Sequence, residues 1–367
     1  MIANGSTVIA PLTVEGYCYD LYNLENSYLH LEEEWWDPVT QKDMSIANHL
    51  YMVTGDIMLL DDQFTYAMFF NKDLAAVYNL NPYQLVYDDA WTMDIMYEMM
   101  KKVAHPGGDG LMDVENGDDT WGMVGVAFDT YQLIMGGGNA QITKDQDDLP
   151  RFAMADEANV NSFLSIIDIV TDRSRTAFKE TYYSWSSKEG EKVKDFFFNG
   201  QALFYPLTID GVSSDKMRNA DIHYGILPMP KYNESQDSYA STINPYHFFV
   251  MAIPINNTDN IDKITFCLEA MAYLAKESVT GKYYELTLKL KRFADDDDSP
   301  EMLDIIFRNR IVDISVIFNW DDCIQYYNNM FFGNNKGIAS YCDTVINAFT
   351  ADMQKTIDAY QRLAEEG

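Results

Sequence analysis

The amino-acid sequence predicts a mixed α/β protein with two domains, or one large fold with a divided core. Three observations carry that reading. The chain has 367 residues, more than twice the ~150 of a typical domain. Apolar residues recur at helical spacing in three segments: Val160, Phe163, Leu164, Ile167 and Val170; then Ile264, Cys267, Leu268, Met271 and Ala275; then Ile346, Phe349, Met353, Ile357 and Tyr360. Short apolar runs between them read as strands, at Gln201–Tyr205, His223–Leu227 and Phe248–Ile253, with Pro228, Pro230 and Pro254 marking exits into loops.

The remaining elements follow in chain order. Thr7–Val14 is a strand-like apolar run, and Tyr17–Leu31 reads as strand or turn leading by a helical approach to Trp35 and Trp36. Ile57–Phe70 is dense in apolar and aromatic side chains and is interrupted by Asp61-Asp62, which predicts buried strands joined by a turn. Thr92 is placed to cap a helix with an apolar face of Ile95, Met96, Met99 and Val103, ending near His105-Pro106-Gly107. Residues 106–120 are loop by composition, and the acidic run Asp295–Asp298 before Ser299-Pro300 reads as a loop ending at a helix start.

Composition narrows the function. The chain carries 57 Asp and Glu against 26 Lys and Arg, a formal charge of −31, so most of its surface repels phosphate backbones and nucleic acid is a poor partner. With 47% hydrophobic and 14% aromatic residues it is not a disordered acidic chain. No apolar run approaches the ~20 residues of a membrane span. The opening residues lack a basic segment followed by a long apolar one, so the chain reads as having no signal peptide. Either the protein is intracellular or the sequence begins after an export signal. Cys18, Cys267, Cys323 and Cys342 are far apart, without a CxxC; buried free thiols are expected, with one long-range disulfide open to an exported form.

Nucleophile-elbow, P-loop, GxGxxG and HExxH motifs are missing. Gly136-Gly137-Gly138-Asn139 lacks the Lys-Ser/Thr of a phosphate loop and reads as a turn. The pairs Asp61-Asp62 and Asp321-Asp322 invite an acid–base reading, but neighbours in a strand point to opposite faces. The loop that holds Asp109, Asp113, Asp118 and Asp119 concentrates hard oxygen ligands around glycines, as a structural calcium ion requires, though without EF-hand spacing; no other cofactor is indicated. Aromatics beside carboxylates or amides are the stronger lead: Trp35-Trp36-Asp37, Tyr205 to Asp210, Asn244-Pro245-Tyr246-His247 and Asn319-Trp320-Asp321-Asp322. A stacking face next to hydroxyl-binding groups suits sugars, and equally each ring is a core residue with a satisfied polar edge.

Several segments, in order, resemble the extracellular solute-binding protein family 1 of ABC importers, which includes sugar-binding proteins. They are Tyr66 to Leu74 followed by Asn81-Pro82 and Trp91-Thr92, Phe198 to Phe204, Gly225 to Pro230, and Phe248–Pro254 with the helix after Asn257. The resemblance implies a two-lobed periplasmic-binding-protein fold (type II) that closes on ligand by hinge motion. Its lobes would be discontinuous, residues 1–65 with 245–315 and residues 66–244 with 316–367, and the chain would cross between them near Phe64–Phe69, Asn244–Val250 and Val312–Trp320. It implies a monomeric extracellular or periplasmic receptor, a cell-surface lipoprotein in full-length form, that hands a carbohydrate to ABC permease subunits without chemistry of its own. Trp320, Trp36, Tyr205 and Tyr246 are the expected stacking residues, and Asp62, Asp210, Asn244 and Asp322 the expected hydroxyl partners. The chain departs from the family by starting at a segment like Ile2–Leu24, which implies a first lobe short of strands with exposed edges. It departs again in the longer stretch Tyr283–Phe307, with Tyr284, Lys289, Lys291 and Arg292. A peptide or polyamine cargo, drawn by the negative charge, and a carboxylate-dependent glycosidase are the alternatives.

Overall fold

The computed structural model describes residues 1–115, 117–179, 188–284, 297–333 and 335–366. Along the chain these form β1 (Ile2–Gly5), α1 (Ser6–Val14), α2 (Pro38–Met44), α3 (Leu60–Gln63), β2 (Tyr66–Asn71), α4 (Lys72–Val77), α5 (Pro82–Tyr87), α6 (Met93–Val103), β3 (Trp121–Val126), α7 (Ala127–Gly136), β4 (Ile142–Lys144), β5 (Pro150–Phe152), α8 (Glu157–Thr171), β6 (Thr176–Lys179), α9 (Lys188–Phe198) and β7 (Ala202–Thr208). They continue with α10 (Asp215–Asn219), β8 (Tyr224–Leu227), β9 (Ser241–Thr242), β10 (Phe249–Ala252), α11 (Ile261–Ala275), α12 (Gly281–Tyr283), α13 (Asp298–Arg308), β11 (Arg310–Ile311), α14 (Ile314–Ile317), α15 (Tyr326–Phe332) and α16 (Ile338–Glu366). Lys289, Lys291, Arg292, Asp295 and Asp296 lie outside the described residues; Asp298 opens α13.

The larger lobe is built on a five-stranded sheet in the order β6-β3-β7-β2-β8. β3 runs parallel to β6 and β7, and β2 is antiparallel to β7 and β8. Every residue of β2, β3 and β7 is buried, the signature of strands covered on both faces. The pleat divides β2 between two layers: Met68 and Phe70 join the core that holds α6, α7 and α8, while Ala67 and Phe69 join Val193, Phe196 and Phe197 of α9. Gly122 lets α6 close on the sheet, since a Cβ there would sit 2.4 Å from Met100 Cβ.

In the smaller lobe β1 pairs antiparallel with β10, and Val53 bridges Met251. Irregular chain is organised here by two carboxylates. Glu269 of α11 accepts the indole N–H groups of Trp35 (3.0 Å) and Trp36 (2.9 Å) and the amide of His30 (3.1 Å). Asp20 accepts the amides of Tyr22 and Leu50, the Asn23 side chain and His49 Nδ1.

Two expected strands are helices. Thr7–Val14 belongs to α1, which buries Ser6, Ile9, Ala10 and Thr13 and docks on α16 through a 3.0 Å hydrogen bond between Thr13 and the Tyr360 hydroxyl; tertiary burial overrides the β-branched composition. The first half of Ile57–Phe70 holds α3 rather than a strand, and only its end is strand, in β2. The helix turns Asp61 and Asp62 toward one cation. Arg310 Nη2 lies 2.5 Å from Asp37, and Nη1 lies 2.6 Å from Asp62 and 3.7 Å from Asp61.

That cluster sits beside the three segments expected to pass between lobes. The Asn244 amide donates to the Phe64 carbonyl (2.9 Å), the Ile209 amide to the Thr65 carbonyl (3.0 Å), and β11 runs parallel to β9. The three passages therefore lie side by side. Nearby α13, inside the 245–315 stretch that the sequence assigns to the first lobe, packs Leu303 and Ile306 with Ala67, Phe69 and Tyr224 of the large sheet.

One guanidinium faces three carboxylates, so burial and then the neighbouring negative charge of Asp62 push Asp61 well above the ordinary carboxylate range. Burial raises Asp62 too, against the pull of Arg310. Removing the cation strands the acids. Arg310→Ala is expected to cost about 3–5 kcal/mol in urea unfolding at pH 7. Because raised carboxylates favour the folded state once protonated, the deficit should shrink at pH 5 and shrink further in Arg310→Ala/Asp62→Asn; a loss independent of pH would refute the electrostatic account.

Candidate ligand cleft

Beyond the carboxyl ends of β3 and β7, beside the passages between lobes, is a cavity of about 700 Å³. Open α/β sheets bind ligands at this end of their strands. Each wall follows from a local choice of the chain. β3 ends at Val126 and α7 begins at once, which places Phe128 at the cavity and Asp129 at the third helical position, where it accepts the Val126 amide at 2.8 Å. β7 ends at Thr208 and tightens into a 3₁₀ turn, Ile209–Ser213, carrying Asp210, whose carboxylate accepts the Thr208 hydroxyl at 2.5 Å. α9 contributes Lys194 and Phe198, α10 contributes Asp215 and Lys216, and α15 contributes Asn328. The passage between lobes supplies Phe64, Asn244, Tyr246 and His247.

The aromatic surfaces are staggered. His247 stacks on Phe64 at 4.3 Å and 16°, and Phe128 meets Tyr246 at 5.8 Å and 46°. Tyr246 is 55% exposed and offers its ring to solvent, whereas Tyr205 is 2% exposed and packs against Phe197 and Phe198. Asn244 is buried, and its side-chain oxygen Oδ1 accepts the Tyr246 amide at 3.1 Å, which fixes the turn carrying the exposed ring. Acceptors are Asp210 and Asp215; donors are Lys194, Lys216 and the amides of Asn244, Gln325 and Asn328. Lys216 is held by Asp195 at 2.6 Å and Asp215 by Arg218. The arrangement can stack on a flat apolar face and hydrogen-bond its polar edge.

Of the eight ligand residues read from the sequence, Tyr205, Asp210, Asn244 and Tyr246 line this cavity. The other four lie elsewhere. Trp36 is 1% exposed in the core of the smaller lobe, and Trp320 is 2% exposed, stacked on Phe318 and donating to Thr356 at 2.9 Å. Both rings carry so much apolar area that burial claims them. Asp62 belongs to Arg310, and Asp322 is exposed in a left-handed turn (φ 53°). Phe128, Lys194, Phe198, Gln325 and Asn328 carried no ligand reading, and His247 was read only as part of the Asn244–His247 segment. The Phe128 signal was present: an aromatic between the last residue of an apolar strand and an acid placed to cap the following helix.

The acidic loop uses its carboxylates on its own backbone. Asp119 accepts the amides of Gly107 and Asp113, Asp118 that of Gly108, Asp109 that of Leu111, and Asp113 that of Glu115. Among the described residues no three His, Cys, Asp or Glu side chains are grouped to hold a metal ion. Gly136-Gly137-Gly138-Asn139 closes α7, with Gly138 at φ 77°. All four cysteines are free, Cys267 exposed and the others buried.

Beneath Phe128, burial pushes Asp129 up to about 7 against the Val126 amide and Lys194. A carboxyl raised in the folded state contributes stability that is complete below its unfolded value near 4 and lost as pH rises through about 7. Asp129→Asn keeps an acceptor for the Val126 amide. It should flatten the thermal-stability profile between pH ~4 and ~7 and exceed the wild type at pH 8 by on the order of 2 kcal/mol; parallel profiles would refute the assignment.

No protein-family model matches the chain, and no curated protein matches it. Solved structures are similar at the level of fold. M. tuberculosis UspC superposes with a TM-score of 0.61 at 14% identity, covering 95% of this chain and 85% of that one. A cyclo/maltodextrin-binding protein complexed with maltotetraose gives 0.60 at 12% identity, covering 96% and 82%. The maltose/maltodextrin-binding domain MalE from Bdellovibrio bacteriovorus, bound to maltotriose, gives 0.55 at 14%, covering 99% and 84%. The chain has the mixed α/β fold of the two-lobed substrate-binding proteins.

Proposed function

We propose that this protein is the extracellular solute-binding receptor of an ABC importer and that it captures an oligosaccharide in the cleft beside the interlobe passages. The observation that carries the reading is the cavity itself. About 700 Å³ falls within the ~300–1,000 Å³ of small-ligand sites, and its wall alternates aromatic faces with acceptors and donors. A sugar ring has an apolar face of C–H groups and a rim of hydroxyls, and this wall meets both. Solved structures of the same fold support it, since their ligands include maltotetraose, maltotriose and raffinose. Tyr246 would stack, Asp210 would accept hydroxyl protons, and Asn244 would hold the turn between them. Rotation of the lobes about the side-by-side passages would exclude water and sharpen each polar contact. The receptor would present the closed form to membrane permease subunits and return its sugar unchanged.

Thermal unfolding with a panel of malto-oligosaccharides, raffinose and cyclic glucans tests this, with each well assayed for hydrolysis. A sugar at ~100 times its Kd should stabilise the chain by about 2.7 kcal/mol and be recovered intact. Asp210→Asn should weaken that sugar by ~10-fold or more, and Tyr246→Ala by about threefold to tenfold. A cooperative melt that no sugar moves would overturn the carbohydrate reading, and released reducing ends would overturn the receptor reading.

A further inference from the structure

A buried polar atom without a partner costs a folded chain more than a hydrogen bond returns, so each one calls for an explanation. Among the described residues, one such side-chain atom belongs to the lining of the cleft: Oδ1 of Asn328. Asn328 stands in the first turn of α15 and is 6% exposed. Its Nδ2 donates to Gln325 Oε1 at 3.3 Å, and Gln325 lines the same cavity from the position just before the helix. The two carboxamides are therefore joined in one direction, donor of Asn328 to acceptor of Gln325. That leaves an acceptor, Asn328 Oδ1, and a donor, Gln325 Nε2, at the two ends of the pair.

The surroundings select what completes it. The ring contact of Tyr246 with Phe128 continues from Phe128 to Tyr131 (6.0 Å, 25°) and from Tyr131 to Tyr327 (6.2 Å, 39°), the residue before Asn328. The aromatic wall thus leads from the exposed stacking face to the pair. Lys194 and Lys216 line the same cavity, and their charge opposes an ammonium donor there. A hydroxyl is neutral, and its one oxygen both donates and accepts.

We propose that Asn328 and Gln325 form a specificity-determining pair that reads a single ligand hydroxyl in both senses. The hydroxyl donates to Asn328 Oδ1 and accepts from Gln325 Nε2. The terminal torsion of an asparagine is broad, so Oδ1 turns toward the cavity without moving α15. The pair rests on the receptor reading and narrows its cargo to a carbohydrate with a free hydroxyl at α15. Deoxy and O-methyl counterparts are rejected because they leave the buried oxygen unpaired.

Isothermal titration with maltotriose, raffinose and α-cyclodextrin, each beside its monodeoxy analogues, is the test. On the wild type, one monodeoxy analogue of the sugar that binds should be weaker than its parent by ~10-fold or more. Asn328→Leu should weaken the parent by ~10-fold or more and then bind that analogue no more weakly than the parent, the non-additivity of two groups in contact. Gln325→Leu, at a half-buried residue, should cost the parent about threefold to tenfold and the analogue less, which keeps the test open if Asn328→Leu unfolds. Without sugar, Asn328→Leu should melt no lower than the wild type, because it removes an unpaired buried atom. A lower melting temperature with unchanged affinity would make Asn328 a structural residue and overturn the proposal, as would losses that simply add for every analogue. If no sugar binds the wild type, the carbohydrate reading falls and the pair with it; if the wild type and Asn328→Leu bind equally well, the pair alone is overturned.

Discussion

Arg310 is where three distant segments of the chain are held in register. Its guanidinium reaches Asp37, the residue that caps α2 by accepting the amides of Val39 (2.9 Å) and Thr40 (3.0 Å), and it reaches both aspartates of α3. Three segments distant in sequence thus meet at one cation. A buried ion group of this kind adds little net stability compared with an apolar substitute, because desolvation offsets the attraction. Its value is positional: breaking it leaves uncompensated charge, so alternative pairings of the passages are penalised. Phe64 stands two residues beyond Asp62, and its carbonyl receives the Asn244 amide. The cluster therefore locates the strand start and the turn that together carry Phe64, Asn244, Tyr246 and His247 into the cleft.

The distribution of aromatics follows from area. Trp36, Trp91, Trp121 and Trp320 are at most 2% exposed, and each anchors a packing layer. The cleft is furnished instead by phenylalanine, tyrosine and histidine at strand ends and turns, where backbone geometry leaves one face uncovered. Tyr246 shows the principle: its amide is tied to the Asn244 side chain, and its ring, set against Phe128, stays 55% exposed.

Periodicity and punctuation were readable in the sequence wherever one element met one core face. The apolar spacings at 160–170, 264–275 and 346–360 lie in α8, α11 and α16, although Cys267 and Met271 of α11 are exposed; Thr92 does precede α6, the runs His223–Leu227 and Phe248–Ile253 contain β8 and β10, and Gln201–Tyr205 covers the first part of β7, which continues through Pro206 to Thr208. Misreadings occur where a distant residue decides. Nothing local in Thr7–Val14 announces that Tyr360, far along the chain, will receive Thr13, and nothing in Ile57–Phe70 announces Arg310. The site divides in the same way. Tyr205, Asp210, Asn244 and Tyr246 reach the candidate cleft from β7, from the turn that ends it and from the proline turn before β10. Trp36 and Trp320 misled because a tryptophan beside a carboxylate is the same short pattern whether its indole meets a ligand or, as for Trp36, a structural partner such as Glu269.

The buried acids lie at the expected passages and under the candidate cleft. Asp61 and Asp62 are next to the first expected passage, Asp129 lies under the cleft aromatics, and Asp313, after β11, falls in the third. Burial leads the causes in every case and drives all four in one direction, Asp129 to about 7 and Asp313 to about 6. The folded state therefore holds protons that the unfolded chain releases, and the overall −31 charge works in the same sense, since self-repulsion grows as acids ionise. A rotation of the lobes that changes how deeply these carboxyls are buried must take up or release protons, because desolvation is what sets their affinity. If the proposed receptor closes by such a rotation, ligand capture and proton binding are linked through the same residues, and the acidic composition of the chain and its hinge become two aspects of one electrostatic arrangement.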